Sequence, residues 1–342
     1  MAYITNNENA MFYECGFSCD NGYFLKLKDK AFFVTDARYT SEAKEYIQNA
    51  KVIEGDRRDL LLSVRKILKK HRVNKLVFDP NGWSVSEFDR LSKKFGHLKF
   101  VKKANFSQKK RIIKTEEEVK ILKKASQKGA KAFDKFAKFV SERGIGLSEE
   151  ELFFEAEKIF KNKGKLGLSF SPIVGINENA AKPHALPSKK RLKEGDLLLL
   201  DAGVLYKRYC SDRTRTAQVG ADFNFKKEQR FKDKFRQKIY DLVLKAQEAS
   251  INAVKIGVKA SEIDKAGREV IEKSGYGKYF IHSTGHGVGV DIHELPVIGR
   301  RSNTIIEENM VFSVEPGIYL SGKFGVRIED VVVVRQSGAE IL

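Results

Sequence analysis

Four carboxylates in this sequence stand where a carboxylate is costly. Asp201 interrupts the apolar run LLLLDAG, and eleven residues later Asp212 opens the strand-like SDRTRTAQV. Glu315 lies within VFSVEPGIYL, and fourteen residues later Glu329 lies within GVRIEDVVVV. An acid among apolar strand residues must be paired or must share a cation. Taken singly, Asp201 reads equally well as a turn residue before Ala202-Gly203, and either Glu as a solvent-facing strand residue. The same device appears twice, however, and predicts two strand pairs that each bring two acids to one centre.

Histidine supplies a fifth group. Of six histidines, His282, His286 and His293 fall in the single segment FIHSTGHGVGVDIHELP. His286 is flanked by Gly285 and Gly287, and glycine lets a backbone approach a ligand closely. His184 lies in the polar loop NENAAKPHALP, whereas His71 and His97 sit in basic stretches and read as solvated. Four carboxylates and an imidazole suit two divalent cations that favour oxygen donors, such as Mn²⁺. The three cysteines, Cys15, Cys19 and Cys210, are not clustered with histidine, which excludes a thiolate zinc site. Two metals ~3.5–4 Å apart can share a bridging water and bring its pKa towards neutrality. The chemistry implied is hydrolysis.

The elements that must position these groups are readable in outline. The early part of the chain alternates short strands and helices: a hairpin of 22–27 and 31–35 turning at Asp29-Lys30, helices over 59–71 and 85–95, strands over 75–80 and 98–102. The basic stretch 102–114 reads as a solvated boundary. Thr115 with Glu118 forms a capping box for a long helix whose buried face is Val119, Leu122, Ala125, Phe133, Phe136 and Val140. Ser148 with Glu151 repeats the device. Helices follow over 229–256 and 260–274, and strands over 169–176, 196–206, 213–219, 310–320 and 326–334. Strands and helices do not alternate in βαβ order here, which predicts an α+β domain with a mostly antiparallel sheet. The expected division is a small α/β domain over 1–110 and a catalytic domain over 111–342.

Composition excludes several other classes. The chain has 342 residues. At about 150 residues per domain, that is enough for two. Hydrophobic residues make up 42% and charged residues 32%. Such a chain is neither disordered nor low-complexity. No apolar run approaches the ~18 residues of a membrane span, and no secretory signal is visible, so a reduced cytoplasmic setting is expected. The net charge is +19. It is shared almost equally between 1–110 and 111–342 and forms no tail. The basic runs 102–114 and 226–238 read as solvated surfaces and lack the stacking pattern of a nucleic-acid module.

These residues resemble the pita-bread metallopeptidases, the family of methionine aminopeptidase, aminopeptidase P and prolidase. Asp201, Asp212, His286, Glu315 and Glu329 fall in the family's Asp-Asp-His-Glu-Glu order, within the words LLLLDAG, CSDRTRT, STGHGVGVDIHE, SVEPGIY and GVRIED. The segment HGVGVDIHELP and Arg327, two residues before Glu329, resemble the proline-specific branch. So do Thr5–Phe17 and TDARY, which match that branch's non-catalytic N-terminal domain. Two departures stand out. The chain begins at a strand that a helix usually precedes, leaving an edge of the first domain uncovered, and 220–238 is longer and more basic than usual.

The resemblance implies a two-metal exopeptidase with a metal-held hydroxide attacking the carbonyl before proline. Glu315 would serve as general base, His293 would stabilise the oxyanion, and His184 would lie near the scissile nitrogen. His282 and Arg327 would line the leaving-group side or buttress the ligands; Arg327 reads equally as a structural partner of Asp212. The expected activity is removal of the first residue from peptides with proline second, an Xaa-Pro aminopeptidase. Xaa-Pro dipeptidase (prolidase) is the alternative. Methionine aminopeptidase and a non-enzymatic binding scaffold are distant ones. The expected partners are such peptides and, at most, a second copy of the chain, with neither membrane nor nucleic acid.

Overall fold

A computed structural model describes residues 1–342. The chain divides into two compact units, Met1–Lys110 and Arg111–Leu342.

The first unit is built on a six-stranded mixed sheet in the order Lys51–Glu54, Lys30–Thr35, Gly22–Leu27, Tyr3–Thr5, Lys75–Phe78, Lys99–Lys102. The Leu60–Lys70 helix buries Leu60, Leu61, Val64, Ile67 and Leu68 against this sheet. They form the one-sided apolar stripe of an amphipathic helix. Several details depart from expectation. The hairpin turns at Lys28-Asp29, with Lys28 at φ +31°, and Lys30 already pairs with Leu27. The Tyr3–Thr5 strand pairs on both sides and is not an edge; the edges are Lys51–Glu54 and Lys99–Lys102. Helices Glu8–Cys15 and Ala37–Tyr46 are not apparent from apolar periodicity. Asn7 and Asp36 cap them by accepting from the Ala10 and Arg38 amides, which satisfies donors that a helix start leaves open.

In the second unit the Glu116–Arg143 helix starts at the capping box of Thr115 and Glu118, and the Glu149–Lys161 helix at that of Ser148 and Glu151. Phe133, Phe136, Val140 and Phe160 pack on Leu198 and Leu200, while Leu197 enters a second cluster with Ile239, Tyr240 and Val243. Both faces of the Leu197–Asp201 strand are therefore covered, which is why it reads as an unbroken apolar run. Every strand pair in this unit is antiparallel, giving the α+β architecture expected. No helix is long and apolar enough to cross a membrane.

The long strands expected through Asp201, Glu315 and Glu329 are each broken at the acid, and Asp212, expected to open its strand, lies just ahead of it. The chain leaves the Leu197–Asp201 strand at Asp201 and enters another sheet with Val204–Tyr206. Asp212 lies between Tyr209–Cys210 and Thr214–Gln218, which again belong to different sheets. Glu315 separates Val311–Val314 from Gly317–Leu320, and Glu329 separates Phe324–Arg327 from Asp330–Arg335; both passages also change sheet. A carboxylate in mid-strand would face either a sheet core or solvent. At a sheet junction it faces the space between sheets, where four can converge.

The basic stretches are also less solvated than expected. Residues 106–111 form a helix, and Arg111 and Lys114 are buried. Arg111 pairs with Asp291, and Lys114 Nζ lies 2.5 Å from Glu294 Oε1. In the second stretch Lys227 pairs with buried Asp330 at 2.6 Å, and the helix itself spans Lys234–Asn252. Buried acids in the same unit drew these cations inward, because neither charge can be left alone at low dielectric.

Candidate active site

One cavity of about 620 Å³ collects His184, Asp201, Asp212, His282, His286, His293, Glu315, Arg327 and Glu329. Its remaining wall is mostly apolar and includes Phe153, Phe170, Ile173, Leu186 and Ile292.

The strand register sets the spacing of the acids. Asp201 lies opposite Thr214 in the antiparallel pair, so Asp212, two residues earlier, falls beside it beyond the strand end. Thr214 Oγ1 donates to Glu329 Oε2 at 2.6 Å, and the Glu329 amide donates to the Thr214 carbonyl at 3.0 Å. His286 sits in the short strand Gly285–Gly287, with a register shift between it and Gly287. A Cβ on Gly285 would meet the Ser313 carbonyl oxygen at 1.8 Å, so only glycine allows this strand so close to Val311–Val314. The His286 Nδ1 lies 3.1 Å from the Gly287 carbonyl, which can only accept. Nδ1 therefore carries the hydrogen. Nε2 faces Glu315 Oε1 at 3.3 Å and Asp212 Oδ2 at 3.6 Å. Ser313 Oγ donates to Glu315 at 3.2 Å.

Electrostatically the centre is short of positive charge. Burial, reinforced by the neighbouring carboxylates, pushes Asp212 and Glu329 well above the ordinary carboxylate range. Asp201 is also raised by burial, with Arg327 opposing. Glu315 behaves oppositely: burial pushes it up, but the His286 hydrogen bond and charge outweigh this and hold it at about 2. Burial lowers the His282 and His293 imidazoles.

Arg327 corrects one expectation. Its Nη2 donates to Asp201 Oδ2 at 2.6 Å, so its carboxylate partner is Asp201 and not Asp212. The reason is the register: Arg327 Nε donates to Thr214, the residue opposite Asp201. Nη1 donates to the Pro183 carbonyl and the Tyr319 hydroxyl. His282 is equally engaged, with Nε2 at 2.8 Å from the Tyr319 hydroxyl and Nδ1 at 2.7 Å from the Ser283 carbonyl. His184 and His293 are exposed at the cavity wall, the His293 ring lying 4.3 Å from that of His286.

Tyr319, Thr214 and Ser313 are site residues that sequence patterns do not reveal. All three lie in the strands that carry the acids, but a hydroxyl in a strand gives no signal until its partner is known. Tyr319 is pushed up to about 12 by burial and links His282 to Arg327.

The donor set fits divalent cations. Asp212, His286 and Glu329 place one ligand atom each within 4.8 Å of one another. Asp201 Oδ1 is buried without a hydrogen-bond partner. Four carboxylates face a single guanidinium in the cavity wall. Oxygen donors with one imidazole are the chemistry of hard and borderline divalent ions.

Known proteins resemble this chain in sequence and fold. Residues 120–336 match the model of metallopeptidase family M24, and residues 1–113 that of the creatinase/prolidase N-terminal domain. The chain is 32% identical to an Xaa-Pro dipeptidase of Pyrococcus horikoshii, covering 99% of this chain and 91% of the relative. A solved structure of an Xaa-Pro dipeptidase from Bacillus anthracis matches with a TM-score of 0.90 at 35% identity, covering 99% of this chain and 92% of that one. An X-Pro aminopeptidase from Thermotoga maritima matches with a TM-score of 0.88 at 32% identity, over 99% of this chain and 94% of that one. With its four acids at the sheet junctions, His286 in the same cavity and both family models matched in order, the chain belongs to metallopeptidase family M24 and carries its pita-bread catalytic fold.

Proposed function

We propose that this metallopeptidase removes the first residue from peptides with proline second, using two divalent ions, Mn²⁺ by donor preference, held by Asp201, Asp212, His286, Glu315 and Glu329. Such ions supply Lewis-acid polarisation and a water of lowered pKa. Glu315, hydrogen-bonded by Ser313 and facing His286 Nε2, takes the proton of the attacking water and returns it to the leaving nitrogen. His293, exposed on the same wall, donates to the carbonyl oxygen as negative charge develops there. His184, exposed in the loop before Pro187, flanks the departing proline nitrogen.

One observation carries the preference for longer peptides. Arg327 is the only Lys or Arg lining this cavity, and Asp201, Thr214, Tyr319 and the Pro183 carbonyl occupy its guanidinium. No free cation there awaits the carboxylate of an Xaa-Pro dipeptide. The names of the relatives favour the second reading, an Xaa-Pro dipeptidase. The deciding measurement is kcat/KM for an Xaa-Pro dipeptide, its C-terminal amide and an Xaa-Pro-Yaa tripeptide. Comparable or better cleavage of the amide and tripeptide is expected. A ten-fold preference for the free dipeptide, about 1.4 kcal/mol in the transition state, would assign the dipeptidase instead.

A further inference from the structure

A second cavity of about 650 Å³ adjoins the first and shares His282, Ser283 and Val297 with it. Its lining contains three arginines, Arg268, Arg300 and Arg301, and no carboxylate. Arg268 is committed: it is buried, bonded twice to Asp264 at 2.8 Å, and its remaining donors meet the Phe280 and His282 carbonyls. Arg300 reaches Glu272 at 2.6 Å on the surface. Arg301 is exposed and has no ion-pair partner. Between these cations and the catalytic cavity the floor is apolar, with Ile281 and Val297 exposed by 65% and 45%.

We propose that this cavity receives the peptide beyond the scissile bond, with Arg301, assisted by Arg300, binding the C-terminal carboxylate of a short Xaa-Pro-Yaa peptide. The proposal rests on the Xaa-Pro reading and names its substrate class: tripeptides and slightly longer peptides with a free C-terminus. His282 forms the wall common to both cavities, so a chain leaving the metal centre past His282 enters the arginine-lined space. An extended chain advances ~3.3–3.6 Å per residue, so each added residue carries the carboxylate further from the metal centre towards the arginines. The guanidinium fork matches a carboxylate in two parallel hydrogen bonds. Because Arg301 is exposed, the attraction is modest and weakened by salt.

The test is the ratio of kcat/KM for a tripeptide acid to that for its C-terminal amide. It is measured in the wild-type holoenzyme, in Arg301→Gln and in the Arg300→Gln/Arg301→Gln double variant. The same ratio for an Xaa-Pro dipeptide and its amide serves as reference. The wild type is expected to favour the tripeptide acid by about two- to five-fold, mainly through KM, less so at high salt. Both variants should bring the ratio towards one. Since the readout is a ratio, a general loss of activity does not imitate it. Hydrolysis of Xaa-Pro amides with no acid preference, or a preference that survives in the double variant, overturns the groove but leaves the Xaa-Pro reading standing. An Arg301-dependent preference confined to the dipeptide overturns the substrate length. Failure to cleave any Xaa-Pro peptide overturns both readings.

Discussion

At the scale of single residues, the groups around the centre divide into those with free polar atoms and those fully occupied. His293 is exposed at the cavity wall, and its expected contribution is to the developing oxyanion. His293→Ala should therefore lower kcat by ~10²–10³ with metal content unchanged, the scale seen for losing one such donor. Normal turnover in a fully metallated variant would reduce the residue to packing. Tyr319 is of the other kind, since its hydroxyl joins His282 Nε2 to Arg327 Nη1 in a buried site. Tyr319→Phe keeps the ring but leaves two polar groups short of a partner. Denaturant unfolding should record a loss of ~1–3 kcal/mol. An unchanged midpoint would mean that other groups or water replace the hydroxyl.

At the scale of elements, the centre depends on strands that stop where the acids are. The junctions bring Asp201, Asp212, Glu315 and Glu329 together, and Gly285 allows the strand of His286 to lie against the strand that leads to Glu315. Gly285→Ala places a methyl 1.8 Å from the Ser313 carbonyl oxygen, so one strand must shift. Overpacking of this kind costs ~1–3 kcal/mol, and here it also displaces His286. The expected outcome is a lowered Tm together with reduced metal content, read by elemental analysis of the purified protein. A variant with full metal content would show that the ladder absorbs the methyl elsewhere. Further along the segment that carries His286, buried Lys114 and Arg111 hold Glu294 and Asp291, which flank the Ile292-His293 step.

For the whole molecule, metal and stability are coupled. Asp212 is raised by burial and by Asp201, and Glu329 by burial and by Asp212, so the unliganded centre opposes folding. Ions that bind only the folded chain relieve it. A ligand at a hundred times its Kd adds ~2.7 kcal/mol. For a unit of this size that corresponds to a rise in Tm of roughly 5–10 °C. Exhaustive chelation should lower Tm by several degrees and abolish peptide hydrolysis, and Mn²⁺ should restore both. Full activity after chelation would refute the metal mechanism, and a fixed Tm would refute the coupling. The net charge of +19 enters differently: part of it is drawn inward as Arg111, Lys114, Arg215 and Arg327, each beside a buried acid.

The sequence by itself determined the chemistry. Acids in apolar strands, a histidine between glycines and two capping boxes are local signals, because burial cost, backbone freedom and helix-end hydrogen bonding act over a few residues. Local signals also fixed the type of most elements: the Glu116–Arg143 helix starts at its capping box, and its expected buried face is the one that packs. What they could not convey is which distant groups meet. The helices Glu8–Cys15 and Ala37–Tyr46 have little or mixed apolar patterning, and their caps are one polar residue each. The partner of Arg327 depended on the register of a strand far away in the chain, which set Asp201 rather than Asp212 within reach. The breaks at the four acids depended on which sheet each flanking segment joined. Tertiary structure alone decided these points, because pairing between strands is set by the packing of whole sheets, and no short stretch of chain carries that information.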